Sequence, residues 1–394
     1  MSVNPSILAW ARETAGLSPQ AAAKVLGFSD TRRRSATARL AALEGGEDSP
    51  SRSVLLNMAE KYRRPLLVFY LEQPPPKGDR GQDFRTVPGA DLPQYNLVLD
   101  ALIRDVHGRQ GIVRSLLEEE DATPLGFVGS ATTNTPPAQL AMEIQRRLVF
   151  SIEEFRQQSS PAEAFSYLRG RLETSGVFVV LLGDLGSHHT NISVDVFRGF
   201  AIADAIAPLI VVNDHDAKTA WSFTALHETV HLWLGRTGVS NTSTETRIEK
   251  YCNEIASAIL LPDSEELPRL EGVGLEAIAE EISRFARPRN LSRSMVAYKL
   301  QRSGLISKSD WKKTSAQFKK EWIASKRAEG DKAKSGANYY VVRRHRLGPA
   351  LIRLARRSLA EGALSHSKAA RLLGVKPRNV APLLNRGTPR SGRR

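Results

Sequence analysis

The 394-residue sequence predicts an α+β multidomain protein: an all-α N-terminal domain, a small mixed sheet with helices in the middle, and a helical, strongly basic C-terminal region. Three observations carry this. Short apolar or alternating runs bounded by Gly, Asp and Asn cluster between residues 178 and 213, and they read as strands. Apolar positions recur at helical spacing on both sides of that cluster. The length is too great for one ordinary core and calls for roughly two to four domains. The expected division is 1–72, 73–137, 138–270 and 271–394.

In chain order, Ile7, Leu8, Ala11 and Leu17 frame a first helix. Ser18 reads as the N-cap of a second, with Pro19 at its first position and Gly27 as the turn after it. Ser29 to Arg34 leads into a helix over Ala36 to Leu43, stopped by Glu44-Gly45-Gly46. A helix of this kind entering a major groove, with Arg32, Arg33, Arg34 and Arg39 near phosphates and base edges, is the helix-turn-helix arrangement. With Pro50 and the Leu55 to Tyr62 helix, this part resembles the XRE (Cro/C1-type) family, which implies DNA binding. It departs from that family between Gly27 and Glu44, where it is several residues longer. Dimerisation or partner binding is the competing use of such a module.

Gln73-Pro-Pro-Pro-Lys-Gly-Asp79 reads as an extended linker. Leu92 to Glu120 is a long helical segment whose Leu97, Ala101, Val106, Ile112, Val113 and Leu116 could pack on a neighbour or on a second copy of the chain. Gly129 to Pro137 marks a boundary. The expected strands are Phe178 to Leu182, Ser193 to Phe197, Phe200 to Ala203 and Pro208 to Asn213. Gly199-Phe200-Ala201 is expected at the sheet edge, where an extended polypeptide could add as a further strand.

Residues 227 to 231 read His-Glu-Thr-Val-His inside an apolar run from Trp221 to Gly235. Positions i and i+4 share a helix face, so both imidazoles can reach one Zn²⁺. Glu228 is placed to take a proton from a water on the metal. A catalytic zinc needs a third protein ligand and one open position. The next helical stretch, Thr242 to Pro262, offers Glu245, Glu249 and Glu254. Glu249 lies next to the apolar stripe of Ile248, Cys252, Ile255, Ala256, Ile259 and Leu260, and it is the choice for third ligand. Asn253 falls on the same face and could accept the outer N–H of a ligand histidine. His188 and His189, and more weakly His215 and Tyr251, are candidates to stabilise an oxyanion or line a cleft.

The runs Gly183 to Thr190, Phe197 to Asp204, Val212-Asn213-Asp214 and Ala220 to Glu228, with the later Ile248 to Pro262, resemble the ImmA/IrrE family of zinc metallopeptidases over roughly residues 140 to 270. The resemblance implies a zincin-like HExxH peptidase domain with His227, His231 and Glu249 as ligands and Glu228 as general base. It further implies cleavage of a partner transcriptional repressor at one site.

Charge is unevenly placed. Lys308 to Arg394 holds 23 Lys plus Arg against 5 Asp plus Glu, although the whole chain carries +14. Such a basic region is the footprint of nucleic-acid contact or of an acidic protein partner. Within it, Leu364 to Gly374 repeats the pattern of Leu17 to Gly27, and Val375 to Leu384 could form a second turn and recognition helix. Arg371, Lys376 and Arg378 are its DNA-contact candidates. Pro288 to Gly304 and Arg343 to Arg357 read as amphipathic basic helices. The single cysteine, Cys252, fits a reducing compartment and reads as a small buried hydrophobe. The Met1-Ser-Val-Asn-Pro5 start lacks an export pattern, and no apolar run approaches the length of a membrane span. The expectation is a cytoplasmic protein, nucleoid-associated when bound to DNA, without a membrane partner.

The combined expectation is a DNA-associated zinc endopeptidase acting on a regulatory protein. The alternative is a transcriptional regulator, or the antitoxin of a toxin–antitoxin pair, whose zinc domain only holds a partner. A zinc-sensing regulator is a third reading. The partner in either main case is a repressor or toxin encoded nearby.

Overall fold

Each of the first four helices opens on a side chain that caps it. Asn4 accepts from the Ser6 N–H at the start of α1 (Pro5–Thr14), and Ser18 from the Ala21 N–H at α2 (Pro19–Val25). Ser35 does the same for α3 (Ala36–Glu44) and Ser51 for α4 (Arg52–Lys61). Such caps satisfy amide donors that a helix start leaves without intrahelical partners. A computed structural model of the chain describes residues 3–62, 64–74, 93–186, 190–240, 247–262, 265–268, 270, 274–332 and 338–385. The Gln73 to Asp79 linker lies mostly outside these residues, as do His188 and His189.

The chain divides into two units: Met1–Arg80 with Pro88–Arg104, and Gly81–Val87 with Asp105–Arg394. In the first, Ile7, Leu8, Leu40, Leu55, Met58 and Phe69 form one buried core across α1, α3, α4 and the 3-10 turn Leu66–Tyr70. An Arg12–Glu44 ion pair at 2.7 Å ties the first helix to the third. The long α5 (Pro93–Glu119) gives its residues up to Arg104 to this unit and the rest to the second.

The second unit opens with α6 (Pro137–Leu148), α7 (Ile152–Arg156) and α8 (Pro161–Thr174). A mixed sheet follows, built from β1 (Phe178–Leu181), β2 (Gly199–Ile202), β3 (Leu209–Val212) and β4 (Gly238–Ser240) in the order β1-β3-β2-β4. β1 and β3 are parallel, whereas β2 runs antiparallel to both β3 and β4. All residues of β1, β2 and β3 are buried, which accounts for their near-continuous apolar sequences. Between β3 and β4 runs α9 (Lys218–Trp233), and α10 (Arg247–Leu260) packs beside it.

Three expectations are corrected. Gly199-Phe200-Ala201 is not an edge, because β4 pairs with it from Gly199↔Ser240 to Ala201↔Gly238. β4 escaped sequence reading because three residues are too few to show alternation. Ser193 to Phe197 forms turns rather than a strand; its Ser193 hydroxyl and carbonyl bond back to the following amides of Asp195 and Val196. Arg343 to Arg357 is two helices, broken where Gly348 takes a φ of +83° ahead of Pro349.

Phe127 and Ala131, just upstream of α6, belong to the core of the second unit. Gly129 and Ala131 donate to the Leu232 and Trp233 carbonyls, satisfying acceptors at the end of α9. Beyond α10 come α11 (Leu275–Ala286), α12 (Arg293–Arg302), α13 (Lys308–Lys332), α14 (Tyr339–Leu347), α15 (Pro349–Ala360), α16 (His366–Leu373) and α17 (Val380–Leu384).

The seating of α14 and α15 depends on a buried ion pair. Arg169 and Glu173, one turn apart on α8, have side chains only 4% and 2% exposed. Burial pushes the Arg169 guanidinium down to about 10 and raises the Glu173 carboxyl, so each needs its partner to stay charged. Arg169 also donates to the carbonyls of His345 (2.6 Å) and Arg346 (3.2 Å), and Glu173 accepts from the Ala350 N–H at 2.8 Å. A side chain at Gly348 would meet the Glu173 carboxylate at 2.5 Å, so only glycine lets the chain turn there. Removing the acid strands a buried guanidinium. Glu173→Ala is expected to destabilise the second unit by about 3–5 kcal/mol in urea unfolding followed by tryptophan fluorescence. A loss under about 1 kcal/mol, typical of an exposed pair, would contradict this role.

Candidate metal centre

The His-Glu-Thr-Val-His motif lies in the last two turns of α9, where every residue from Thr224 to Trp233 is buried. The helix sits between the sheet on one side and α10 on the other. His227 and His231, four residues apart, face the same way: their rings are 5.0 Å apart and their Nε2 atoms 3.2 Å apart. Glu249, in the first turn of α10, reaches both, with Oε2 at 3.1 Å from His227 Nε2 and Oε1 at 3.3 Å from His231 Nε2. Asn253 stands one turn further along α10, its Oδ1 at 2.9 Å from His227 Nδ1.

These contacts constrain the protons. An Nδ1–H on His227 donating to the Asn253 carbonyl oxygen leaves Nε2 with its lone pair facing the Glu249 carboxylate. Two imidazole lone pairs and a carboxylate cannot converge unless a positive charge sits among them, either a proton or a metal ion. Burial alone would lower the His227 pKa, but the Glu249 hydrogen bond and the charges of Glu228 and Glu249 raise it overall. Glu249 is likewise opposed by burial yet held down at about 2 by its bonds to the two histidines. Two imidazole nitrogens and one carboxylate, with the outer nitrogen of one histidine oriented by an amide, form a donor set that fits zinc.

Glu228 is fully buried and is approached by the sheet through Gly199 at the start of β2. A methyl group at that position would meet the Thr224 methyl at 2.6 Å and the Glu228 carboxylate at 2.9 Å. Glycine therefore lets the strand press against the helix beside the acid. Sequence reading noticed Gly199 only as part of a supposed edge. The signal was its place between Phe197-Arg198 and Phe200, where a strand interior would favour a larger residue.

Cys252 was read as a small buried hydrophobe and is fully buried in the core. Its place beside the motif-bearing helix was expected, and there the sulfur and one donor nitrogen from each of His227 and His231 lie within 4.8 Å of one another. Cys252 follows Glu249 by three residues and so shares its helix face. The two carboxylate oxygens lie closer, at hydrogen-bonding distance from both Nε2 atoms, and we take Glu249 as the better-placed third donor. Tyr251 is committed elsewhere, donating to the Thr135 carbonyl at 2.7 Å. His215 stands near Asp184, with Nε2 at 4.0 Å from Oδ2, and its backbone carbonyl accepts from Lys326.

The basic candidates separate into two groups. Arg34 is paired with Asp48 at 2.7 Å, and Arg39 stacks on Phe28 with its guanidinium carbon 5.1 Å from the ring centre. Arg32 and Arg33 are exposed, as are Arg371, Lys376 and Arg378.

A helix bearing His-Glu-x-x-His, joined by a glutamate from the next helix, is the kind of arrangement that metallopeptidases use. Residues 183–301 match the family model of peptidase family M78, described as IrrE N-terminal-like domain. The match begins after β1 and ends in α12, further downstream than the 140 to 270 expected from the motifs. Searches of the curated proteins and of the solved structures returned no match.

Two outcomes test this geometry. Asn253→Ala is expected to weaken zinc affinity by about 10–100-fold in competition with a chromogenic chelator, and unchanged affinity would contradict the role of the amide. The second concerns pH in the metal-free protein. The raised His227 value stabilises the fold fully below its ordinary 6.5 and less as pH rises through the folded value. The depressed Glu249 value stabilises fully above its ordinary 4.5 and is lost as pH falls toward about 2. The difference in thermal midpoint between wild type and Glu249→Gln, both in chelator, should therefore be greatest between 4.5 and 6.5 and shrink toward alkaline pH. A difference that does not vary with pH would refute the coupling.

Proposed function

We propose that the protein is a DNA-associated, zinc-dependent endopeptidase that cleaves a partner regulatory protein. The observation that carries the hydrolytic part is the convergence of His227, His231 and Glu249 beside the buried acid Glu228, within a segment that matches a peptidase family. Zinc held by those three side chains supplies Lewis acidity and brings the ionisation of water close to neutral pH.

The chain's own groups do the rest. Asn253 holds His227 with Nε2 turned inward. Glu228 accepts a proton from the attacking water and returns it to the leaving amine. Gly199 keeps the strand close behind Glu228, which limits how far the carboxylate can turn away. Restricting cleavage to one partner follows from the family resemblance, and the basic C-terminal helices favour work near DNA.

The decisive comparison is wild type against Glu228→Gln, each co-produced with the protein encoded beside it. Wild type should trim that partner while the variant binds zinc equally and leaves it whole. Cleavage by the variant would sink the mechanism. A stable, uncut complex from both forms would favour a regulator or antitoxin that uses the zinc domain as a scaffold. Metal content adds a further check: Cys252→Ala should retain stoichiometric zinc and Glu249→Gln should lose most of it. The reverse pattern would make the thiol the third ligand.

A further inference from the structure

The C-terminal helices α14 to α17 carry a strongly basic sequence on a well-packed scaffold. Residues 338 to 385 contain ten Lys plus Arg and one acidic residue, Glu361, whereas residues 1 to 72 contain ten basic and seven acidic residues. Much of that C-terminal charge is spent inside the fold. Arg343 donates to the Leu373 and Gly374 carbonyls, each at 2.8 Å from Nη2. Arg346 bridges Asp184 (2.9 Å) and Asp214 (2.6 Å), and Arg357 pairs with Glu120. Arg356 donates to the Leu384 carbonyl at 2.6 Å.

Lys368, Arg371, Lys376 and Arg378 are not spent in this way. All four are exposed, and none forms an ion pair with a described carboxylate. Lys368 and Arg371 stand three residues apart on α16, away from the buried Ala369, Ala370, Leu372 and Leu373, and the exposed Arg371 reaches as far as Gly108 of α5. Lys376 and Arg378 follow at the turn. Only Gly374, Val375 and Lys376 separate α16 from the 3-10 turn Pro377–Asn379, which runs directly into α17.

This turn is built rather than loose. Gly374 is left-handed, with φ of +59°, and a side chain there would strike the guanidinium groups of Arg109 and Arg343. The Val375 N–H returns to the Ala370 carbonyl at 2.9 Å. α16 and α17 pack against each other and against α15, with Val380, Leu383 and Leu384 buried. Two short helices joined through the six residues Gly374 to Asn379, the last three in a 3-10 turn, with the exposed cations at the joint, resemble a helix-turn-helix in layout.

The N-terminal module differs in two respects, although its Arg32 and Arg33 are also exposed. Ten residues, 26 to 35, separate α2 from α3, against six between α16 and α17. Of its four candidate arginines, Arg34 is ion-paired and Arg39 lies over Phe28.

We infer that the DNA-contacting element of this protein is the C-terminal α16–α17 unit, with duplex DNA as its ligand and Lys368, Arg371, Lys376 and Arg378 on the phosphates. This deepens the DNA-associated part of the proposed function and rests on that reading, but not on whether the zinc centre cleaves. Phosphate contacts by these cations release counterions, so binding weakens steeply with salt.

The test uses the full-length protein and a fluorescent mixed-sequence DNA duplex, titrated by anisotropy at several salt concentrations. Two charge reversals are compared, Lys376→Glu with Arg378→Glu, and Arg32→Glu with Arg33→Glu. Circular dichroism and zinc content verify that each is folded. The C-terminal pair should weaken binding on the order of tenfold or more and lower the slope of log affinity against log salt by about two. The N-terminal pair should change affinity by less than about twofold, well within what a non-contacting surface change produces. An equal or larger loss from the N-terminal pair would overturn the assignment. So would wild-type protein that fails to bind the duplex, or that prefers single-stranded RNA of the same length. Glu228→Gln, run alongside, should bind DNA as wild type does, which separates failure of this assignment from failure of the peptidase reading.

Discussion

The centre of this protein depends on an electrostatic requirement: three donor groups converge in a buried site and need a positive charge between them. His227 and His231 present nitrogen atoms 3.2 Å apart, and Glu249 closes the triangle from the adjacent helix. The arrangement fixes how α9 and α10 must pack, since neither helix could rotate without separating the carboxylate from the imidazoles. It also fits the two-sided character of α10, whose Glu249 and Asn253 face the histidines while its apolar stripe faces the core. The charged residue belongs to the site, whereas Cys252, Ile255, Ala256 and Ile259 belong to the core.

The sheet contributes through close approach rather than through side-chain chemistry. Gly199 brings β2 against α9 at Thr224 and Glu228, and β4 covers the outer side of β2. Phe127 and Trp233 stack with centroids 4.2 Å apart at the far end of α9. The helix is thus fixed at its C-terminal end by aromatic packing and by the amides of Gly129 and Ala131, and along its length by the strand. On the other edge of the unit, α14 and α15 are located by polar groups, Arg169 with Glu173 and Arg346 with Asp184 and Asp214. Polar docking of this kind fixes orientation strongly, because a misplaced partner leaves a buried charge without compensation.

Much of this was legible in the sequence, for identifiable reasons. His227, Glu228 and His231 lie within one helix, so local periodicity alone places them together. Glu249 and Asn253 were also readable, because the apolar stripe of α10 shows which face meets its neighbour. Serine caps at positions 18, 35 and 51 are local chemistry, although only the first was read in advance. Contacts between distant segments were not legible. The β4 pairing, the approach of Gly199 to Glu228 and the seating of Gly348 over Arg169 each join residues that no local pattern links. Cys252 was read as buried beside the motif-bearing helix, but not as a sulfur close enough to join the two histidines.

The most direct test of the central claim is X-ray absorption at the zinc K-edge of the purified, zinc-loaded protein. The account predicts nitrogen and oxygen scatterers alone, at about 2.0–2.2 Å, with the outer-shell signature of two imidazoles. A sulfur scatterer at about 2.3 Å would mean that Cys252 rather than Glu249 completes the centre, and would contradict it.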